Sequence, residues 1–335
     1  MFARSAAARL SQVSKHVQPT QARSIANATK FKLNTGADIP ALGFGTWQDV
    51  GSQESAVADA LKAGYRHIDT ARIYGTEHAV GKAIRESGID RSEIFLTTKL
   101  WNNEQHPDDV EPALDDSLQQ LGLDYVDLWL IHWPSPFARG KDPMPKGPDG
   151  KIKIDRSIDF IDTWKEMERL QKSGKAKAIG ISNFSKAELD RLLDHATIVP
   201  AAHQLELHPY LQQPEFTEYN KSKGIHITHY SPFGNQNELY AGKHVTKLIE
   251  DPVLTEIGAK YNKSAAQTAL AWGIAHGHSV LPKSKTPSRI VANYEGDFKL
   301  EPEDVLAIDN IDKKLRFNDS SEAFNYPFFT DLDGK

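Results

Sequence analysis

Asp69 ends a short apolar run, Gly64-Tyr65-Arg66-His67-Ile68-Asp69, and Tyr74 follows in a loop with glycine and polar neighbours. A carboxylate at a strand end and a phenol in the next loop can do acid–base work if a cation stands beside them. Lys99 supplies that cation at the end of the next apolar run, Ile94–Thr98, and His132 closes the run after it. A lysine ammonium near a phenol favours the phenolate, so Tyr74 is predicted to have a lowered pKa and to donate a proton near neutral pH. His132 would hydrogen-bond a substrate oxygen and orient it. A tyrosine acid beside a lysine, with no thiol and no metal motif, suits reduction of a carbonyl. The hydride must then come from a nicotinamide cofactor, since no side chain carries one. On spacing alone, Asp69 and Lys99 would serve equally well as a structural ion pair.

The elements that must position these residues repeat along the chain. Short apolar runs, read as strands, occupy Ala41–Gly45, His67–Asp69, Ile94–Thr98, Tyr125–His132, Ala178–Ser182, Ala202–Leu207, His226–Tyr230 and Ser279–Leu281. Amphipathic stretches, read as helices, occupy Glu54–Ala63, Glu77–Ser87, Pro107–Leu121, Ile158–Lys172, Lys186–Leu193, Pro214–Lys223, Asp251–Tyr261 and Ser264–His276. Ser185 is a sensible N-cap, and Ser264 with Gln267 has capping-box spacing. Strands alternating with helices argue for a parallel sheet. Eight such units argue for a (β/α)₈ barrel, an α/β TIM barrel whose active site lies at the C-terminal ends of the strands. Most strands finish in polar side chains there: Asp69, Lys99, His132, Ser182-Asn183, Gln204 and Glu206, Tyr230-Ser231 and Lys283-Ser284. An N-terminal hairpin is expected around Asn34-Thr35-Gly36. The proline-rich loop 134–155 and the loop 234–250 would be long loops on the C-terminal face, where length usually signals function. The tail from Arg316 carries too many aromatics for an exposed end and is expected to fold back over the pocket.

Composition bounds the partners. The 335 residues are 39% hydrophobic and 25% charged, with no cysteine and a formal net charge of −5. Disulfides, thiol catalysis and cysteine metal sites are excluded, and no basic footprint for nucleic acid is present. No apolar run is long enough to span a membrane. His203, His208, His226 and His229 are not arranged as His-Glu-x-x-His, so no metal site is expected. Gly43-Phe44-Gly45 lacks the third glycine of a dinucleotide fingerprint. Gly180-Ile181-Ser182-Asn183-Phe184 lacks the last glycine of a hydrolase elbow. Residues 1–29 hold Arg4, Arg9, Lys15 and Arg23 and no acid; removing those charges takes the net charge to −9. Phe2, Ala6, Leu10, Val13 and Val17 fall at helical spacing. This reads as a mitochondrial transit peptide, with a cytoplasmic protein bearing a disordered leader as the alternative. Residues 30–335 read as a single barrel domain.

The motifs carry a further resemblance. Leu42-Gly43-Phe44-Gly45-Thr46-Trp47, Gly64 to Tyr74, Thr97-Thr98-Lys99-Leu100-Trp101, His132-Trp133-Pro134, Gly180 to Phe184, Tyr230-Ser231-Pro232-Phe233-Gly234 and Leu281-Pro282-Lys283-Ser284 occur in order. In these motifs the chain resembles the aldo-keto reductases from about residue 30 to its end. The resemblance implies a catalytic tetrad of Asp69, Tyr74, Lys99 and His132. It places the cofactor against Thr46, Trp47, Ser182, Asn183, Gln204, Tyr230, Ser231 and Phe233. It places an adenosine 2′-phosphate against Lys283, Ser284, Thr286, Arg289 and Asn293, which implies NADPH and NADP⁺. Lys285, inside that cluster, is expected to add to the attraction. Trp47, Ile73, Trp101, His132, Trp133 and Phe233 would line the carbonyl substrate pocket. Leu33 to Ala37, Phe95 to Trp101 and Ser182 to Ser185 resemble the fungal glycerol dehydrogenases that reduce glyceraldehyde. A xylose-reductase-like sugar reductase is the alternative; its phosphate site has Asn where this chain has Lys285. A cofactor-binding channel subunit with little turnover is the reading from another class. The family resemblance implies a monomer.

Overall fold

The computed structural model describes residues 28–234, 236 and 245–334. Most of the expected leader, and residues 235 and 237–244 of the second long loop, lie outside the described residues.

Among the described residues ten strands are present: β1 (Lys30–Lys32), β2 (Asp38–Pro40), β3 (Phe44–Gly45), β4 (His67–Asp69), β5 (Phe95–Leu100), β6 (Val126–Ile131), β7 (Ala176–Ser182), β8 (Ala202–Glu206), β9 (His226–Tyr230) and β10 (Ser279–Val280). Strands β3 to β10 form one all-parallel sheet in sequence order. A parallel bridge between Leu42 and Val280 joins its first edge to its last, with Gly43 N donating to Val280 O and Gly45 N to Pro282 O. The sheet therefore closes, and the fold is a (β/α)₈ barrel. The seam is shorter than the sequence suggests: of Ala41–Gly45 only Phe44 and Gly45 are strand. Gly43 sits where a Cβ would meet Leu281 Cδ2 at 2.5 Å and His67 Nδ1 at 2.7 Å. The first strand can approach the last only because that residue has no side chain.

The intervening helices are α1 (Gln53–Ala63), α2 (Glu77–Glu86), α3 (Pro107–Leu121), α4 (Phe160–Ser173), α5 (Lys186–Leu193), α6 (Pro214–Ser222), α7 (Pro252–Lys260) and α8 (Ala265–Ala275). The expected caps form. Ser185 and Glu188 make a capping box at α5, and Ser264 and Gln267 make one at α8. Three helices were not expected: α9 (Pro287–Tyr294), α10 (Pro302–Asp309) and α11 (Ser321–Phe324). Each is eight residues or fewer and buries only one or two side chains, too little for a periodic signal.

Alternation along each strand splits the core in two. Outward residues such as Ile68, Leu96, Trp129, Ile131, Ile179, Leu205 and Ile227 pack under the helices. Inward residues Leu128, Leu130, Ala178 and Ala202 meet Leu33 and Ile39 of the β1–β2 hairpin, which plugs the N-terminal end. The C-terminal end is left for polar side chains.

The tail does fold back. Phe324, Phe328 and Phe329 are buried against Trp101, Trp133, Phe137 and Ile152, the last two from the 134–155 loop. Backbone N–H groups of Phe317 and Asn318 donate to Glu206, both at 2.7 Å. Tyr326 donates to Glu188 at 2.6 Å, and Asp331 accepts from Lys186 N and Ala187 N at the start of α5.

Candidate active site

Three neighbouring strands bring the first cluster together. Asp69 ends β4, Lys99 lies in β5, His132 follows β6, and a one-turn helix after β4 presents Tyr74. Lys99 Nζ donates to Asp69 Oδ1 at 2.6 Å and to Thr70 O at 2.8 Å. Gln204 Nε2 donates to the other Asp69 oxygen at 2.7 Å. Both carboxylate oxygens are thus held, and Lys99 is 0% exposed. The ammonium lies 5.1 Å from the centre of the Tyr74 ring. His132 stands edge-on to Tyr74, with ring centres 5.7 Å apart, and to Trp101, at 5.1 Å.

The electrostatics correct the expectation for Tyr74. Its pKa is raised well above 10, not lowered: burial dominates and the Asp69 charge pushes the same way. The Asp69–Lys99 ion pair is as the sequence suggests, but the sequence does not show that burial and the paired carboxylate outweigh the ammonium at Tyr74. Tyr74 still keeps part of its surface open to the cavity. Burial lowers the Lys99 pKa while Asp69 opposes the fall. Burial, then the Lys99 charge, hold His132 well below 6.5, so its imidazole is neutral. Its Nδ1 is buried without a hydrogen-bond partner among the described residues.

Beside this cluster lies a knitted polar platform. Asn183, in the left-handed region at φ 63°, donates from Nδ2 to His132 O at 3.0 Å and to Ser182 Oγ at 3.1 Å. Its Oδ1 accepts from Tyr230 OH at 2.7 Å. Ser182 Oγ donates to Gln204 O at 2.9 Å. Through Gln204 the platform is tied to Asp69, so amide, phenol and tetrad form one network.

A different chemistry occupies the far end. Lys283, Ser284, Lys285 and Thr286 run from β10 into α9, which carries Arg289 and Asn293. Ser284 Oγ accepts from Thr286 N at 3.1 Å. Lys283 forms an ion pair with Asp49, and Lys285 Nζ lies 3.0 Å from the other oxygen of the same carboxylate. Arg289 is exposed.

One cavity of about 1380 Å³ runs from the tetrad to Arg289. Thr46, Trp47, Asp69, Ile73, Tyr74, Trp101, His132, Trp133, Ser182, Asn183, Gln204, Tyr230, Ser231, Phe233, Lys283, Ser284, Thr286, Arg289 and Asn293 all line it; Lys99 sits behind Asp69. An amide-and-phenol platform at one end and cations with hydroxyls at the other make a donor set that fits a nicotinamide dinucleotide phosphate. Sequence reasoning missed Asp49, and also Asn318, Ser320 and Phe324, which the folded tail adds to the wall. The aromatic tail hinted at Phe324; nothing local marked Asp49. Among the described residues no group of three or more His, Cys, Asp or Glu side chains could hold a metal. His203 instead pairs with Asn220 at 2.9 Å, and His229 with His278 at 2.7 Å. No described helix is long and apolar enough to cross a membrane.

Known proteins share this architecture. The sequence profile of the Aldo/keto reductase family matches residues 41–313. The chain is 44% identical to aldo-keto reductase family 1 member A1 of Xenopus tropicalis, over 88% of this chain and 92% of that one. It is 42% identical to D/L-glyceraldehyde reductase of Hypocrea jecorina, over 85% and 88%. The aldose reductase structure from Schistosoma japonicum superposes with a TM-score of 0.84 at 35% identity, covering 91% of this chain and all of that one. With its profile spanning most of the barrel and its relatives aligned along most of their lengths, the chain belongs to the aldo/keto reductase family of oxidoreductases.

Proposed function

We propose that the protein is an NADPH-dependent reductase of aldehydes and small ketones, with glyceraldehyde and related hydroxyaldehydes as its substrates. The observation that carries this reading is one cavity joining a proton donor, Tyr74, to a cluster of cations around Lys283 and Arg289. The name of the Hypocrea jecorina relative supports the substrate class. When bound, NADPH would supply the hydride to the carbonyl carbon.

The chain's own groups do the rest. Tyr74 protonates the carbonyl oxygen. A phenol held above its usual pKa stays protonated at physiological pH, and it still yields its proton to an alkoxide, a far stronger base. Neutral His132 donates a hydrogen bond to the same oxygen and orients it. Lys99 and Asp69 neutralise each other and fix the floor beneath Tyr74. Trp47, Ile73, Trp101, Trp133 and Phe324 wall the substrate from water, which strengthens each electrostatic contact. Ser182, Asn183 and Gln204 hold the carboxamide, and Tyr230 takes the nicotinamide ring. Thr46, Trp47, Ser231 and Phe233 line the path between. Lys283, Ser284, Thr286, Arg289 and Asn293 receive the 2′-phosphate through charge-assisted hydrogen bonds. In reverse, the same residues oxidise the alcohol with NADP⁺.

The test is NADPH oxidation with DL-glyceraldehyde, a nitrobenzaldehyde and xylose. Turnover with glyceraldehyde exceeding that with xylose is expected. No turnover with any aldehyde would overturn the enzyme reading. We also read residues 1–29 as a mitochondrial address on a monomeric enzyme. A fluorescent protein carrying that segment should enter mitochondria, and sedimentation should give the mass of one chain.

A further inference from the structure

Asp49 is the unexplained charge at the anion end of the cavity. It lies in the loop between β3 and α1, while the lysines it holds follow β10, more than 230 residues away. The two loops meet because β3 and β10 form the seam of the barrel. Asp49 and Gln48 both adopt left-handed backbone, at φ 54° and 66°, a conformation non-glycine residues enter at a cost. Local contacts hold them there: Ser52 N and Oγ donate to Asp49 O, and Gln53 Nε2 donates to Gln48 O at 2.6 Å. The result points one carboxylate at two ammonium groups, one oxygen to each.

This contact stays partly in water, more on one side than the other. The side chains of Asp49 and Lys283 are only 28% and 26% exposed, whereas Lys285 is 62% exposed. Lys283, Lys285 and Arg289 would present three positive charges to an incoming anion; Asp49 removes one and occupies the two lysines. The lysines hold the carboxyl below its ordinary range, so it stays ionised through the physiological pH range.

We propose that Asp49 is a built-in competitor for the phosphate-binding cations. Its carboxylate occupies Lys283 and Lys285 in the free enzyme and yields Lys283 when a 2′-phosphate arrives. It thereby weakens NADPH binding, speeds release of the cofactor and reduces discrimination against NADH. This rests on the NADPH reading above. The competition is between two anions for one cation, so it acts on ligands that carry the 2′-phosphate and spares those that lack it.

The experiment is a calorimetric titration of adenosine 2′,5′-bisphosphate and 5′-AMP, with NADPH followed by fluorescence, on the wild type, Asp49→Asn and Asp49→Glu. Asp49→Asn should bind NADPH and the bisphosphate roughly five- to tenfold more tightly at low salt, the scale of one removed charge near the surface. The gain should vanish near 1 M salt, where the screening length is about 3 Å. Binding of 5′-AMP should not change, NADPH should leave Asp49→Asn more slowly in stopped flow, and Asp49→Glu should resemble the wild type. Unchanged or weaker bisphosphate binding by Asp49→Asn, with the wild type binding normally, would overturn the competitor role alone; weaker binding would mean that Asp49 prearranges the lysines. A wild type that binds neither NADPH nor the bisphosphate would overturn both this proposal and the cofactor assignment.

Discussion

The two ends of the cavity are built on opposite principles. At the carbonyl end every charge is buried and partnered. Lys99 is matched to Asp69, Asp69 to Gln204, and Asn183 to both Tyr230 and His132. At the anion end the charges sit on loops, stay partly in water and share one carboxylate. The first end has its geometry set by adjacent strands and its strengths set by low dielectric. The second has loose geometry and strength that depends on salt. Under the proposed function the first end is the reaction centre, and its proton donor and hydrogen-bond donor must be held before substrate arrives. Under the same proposal the second end must bind and release a large cofactor each turnover, which looser contacts serve better.

That contrast can be broken most directly at Tyr74. Tyr74→Phe should lower the reduction rate by ~100- to 10,000-fold, the range of a lost general acid, while the fluorescence-measured NADPH affinity stays near that of the wild type. Retained activity would remove the phenol from the mechanism. Next come the two lysines. Lys99→Met leaves Asp69 buried without its cation and should cost about 3–5 kcal/mol in urea unfolding. Lys283→Met, at the wet end, should cost under about 1 kcal/mol. Equal costs would erase the distinction between the two ends of the cavity.

Acid should test the interior and leave salt to test the rim. His67 and His203 are fully buried and held at about 4, below the ordinary 6.5, by burial. The unfolded chain therefore binds more protons than the folded one. The stability these residues lend is complete above about pH 6.5 and is lost as pH falls from there towards 4. The shift scales to roughly 3 kcal/mol for each. Denaturant midpoints that stay flat between pH 6.5 and 4.5 would contradict it. The smallest effect belongs to Lys285→Ala. It should weaken NADPH binding about two- to threefold at low salt and not at all at high salt, as befits an exposed cation. No change at low salt would remove Lys285 from the anion site.

Much of this was legible in the chain. The strands are short, buried and bounded by polar residues, so their C-terminal ends mark themselves; Asp69, Lys99, His132, Ser182 and Gln204 were readable as pocket positions for that reason. Caps at Ser185 and Ser264 were readable because their partners are three residues away. The short helices α9, α10 and α11 were not, because they bury too few side chains to leave a period.

What remained hidden in the site has a different physical cause. Residue type and periodicity carry local information: which positions are strand, which face is apolar, where a polar side chain ends a run. The alignment of those runs into a closed barrel follows, because eight half-buried units have few ways to bury themselves together. Competition between long-range terms does not follow. Whether Tyr74 feels Lys99 more than burial and Asp69 depends on ångström-scale contacts. Whether the lysines after β10 stand free or neutralised depends on a carboxylate brought across the barrel seam from the other end of the chain. Electrostatic energy varies with distance and dielectric, and the folded molecule alone sets both.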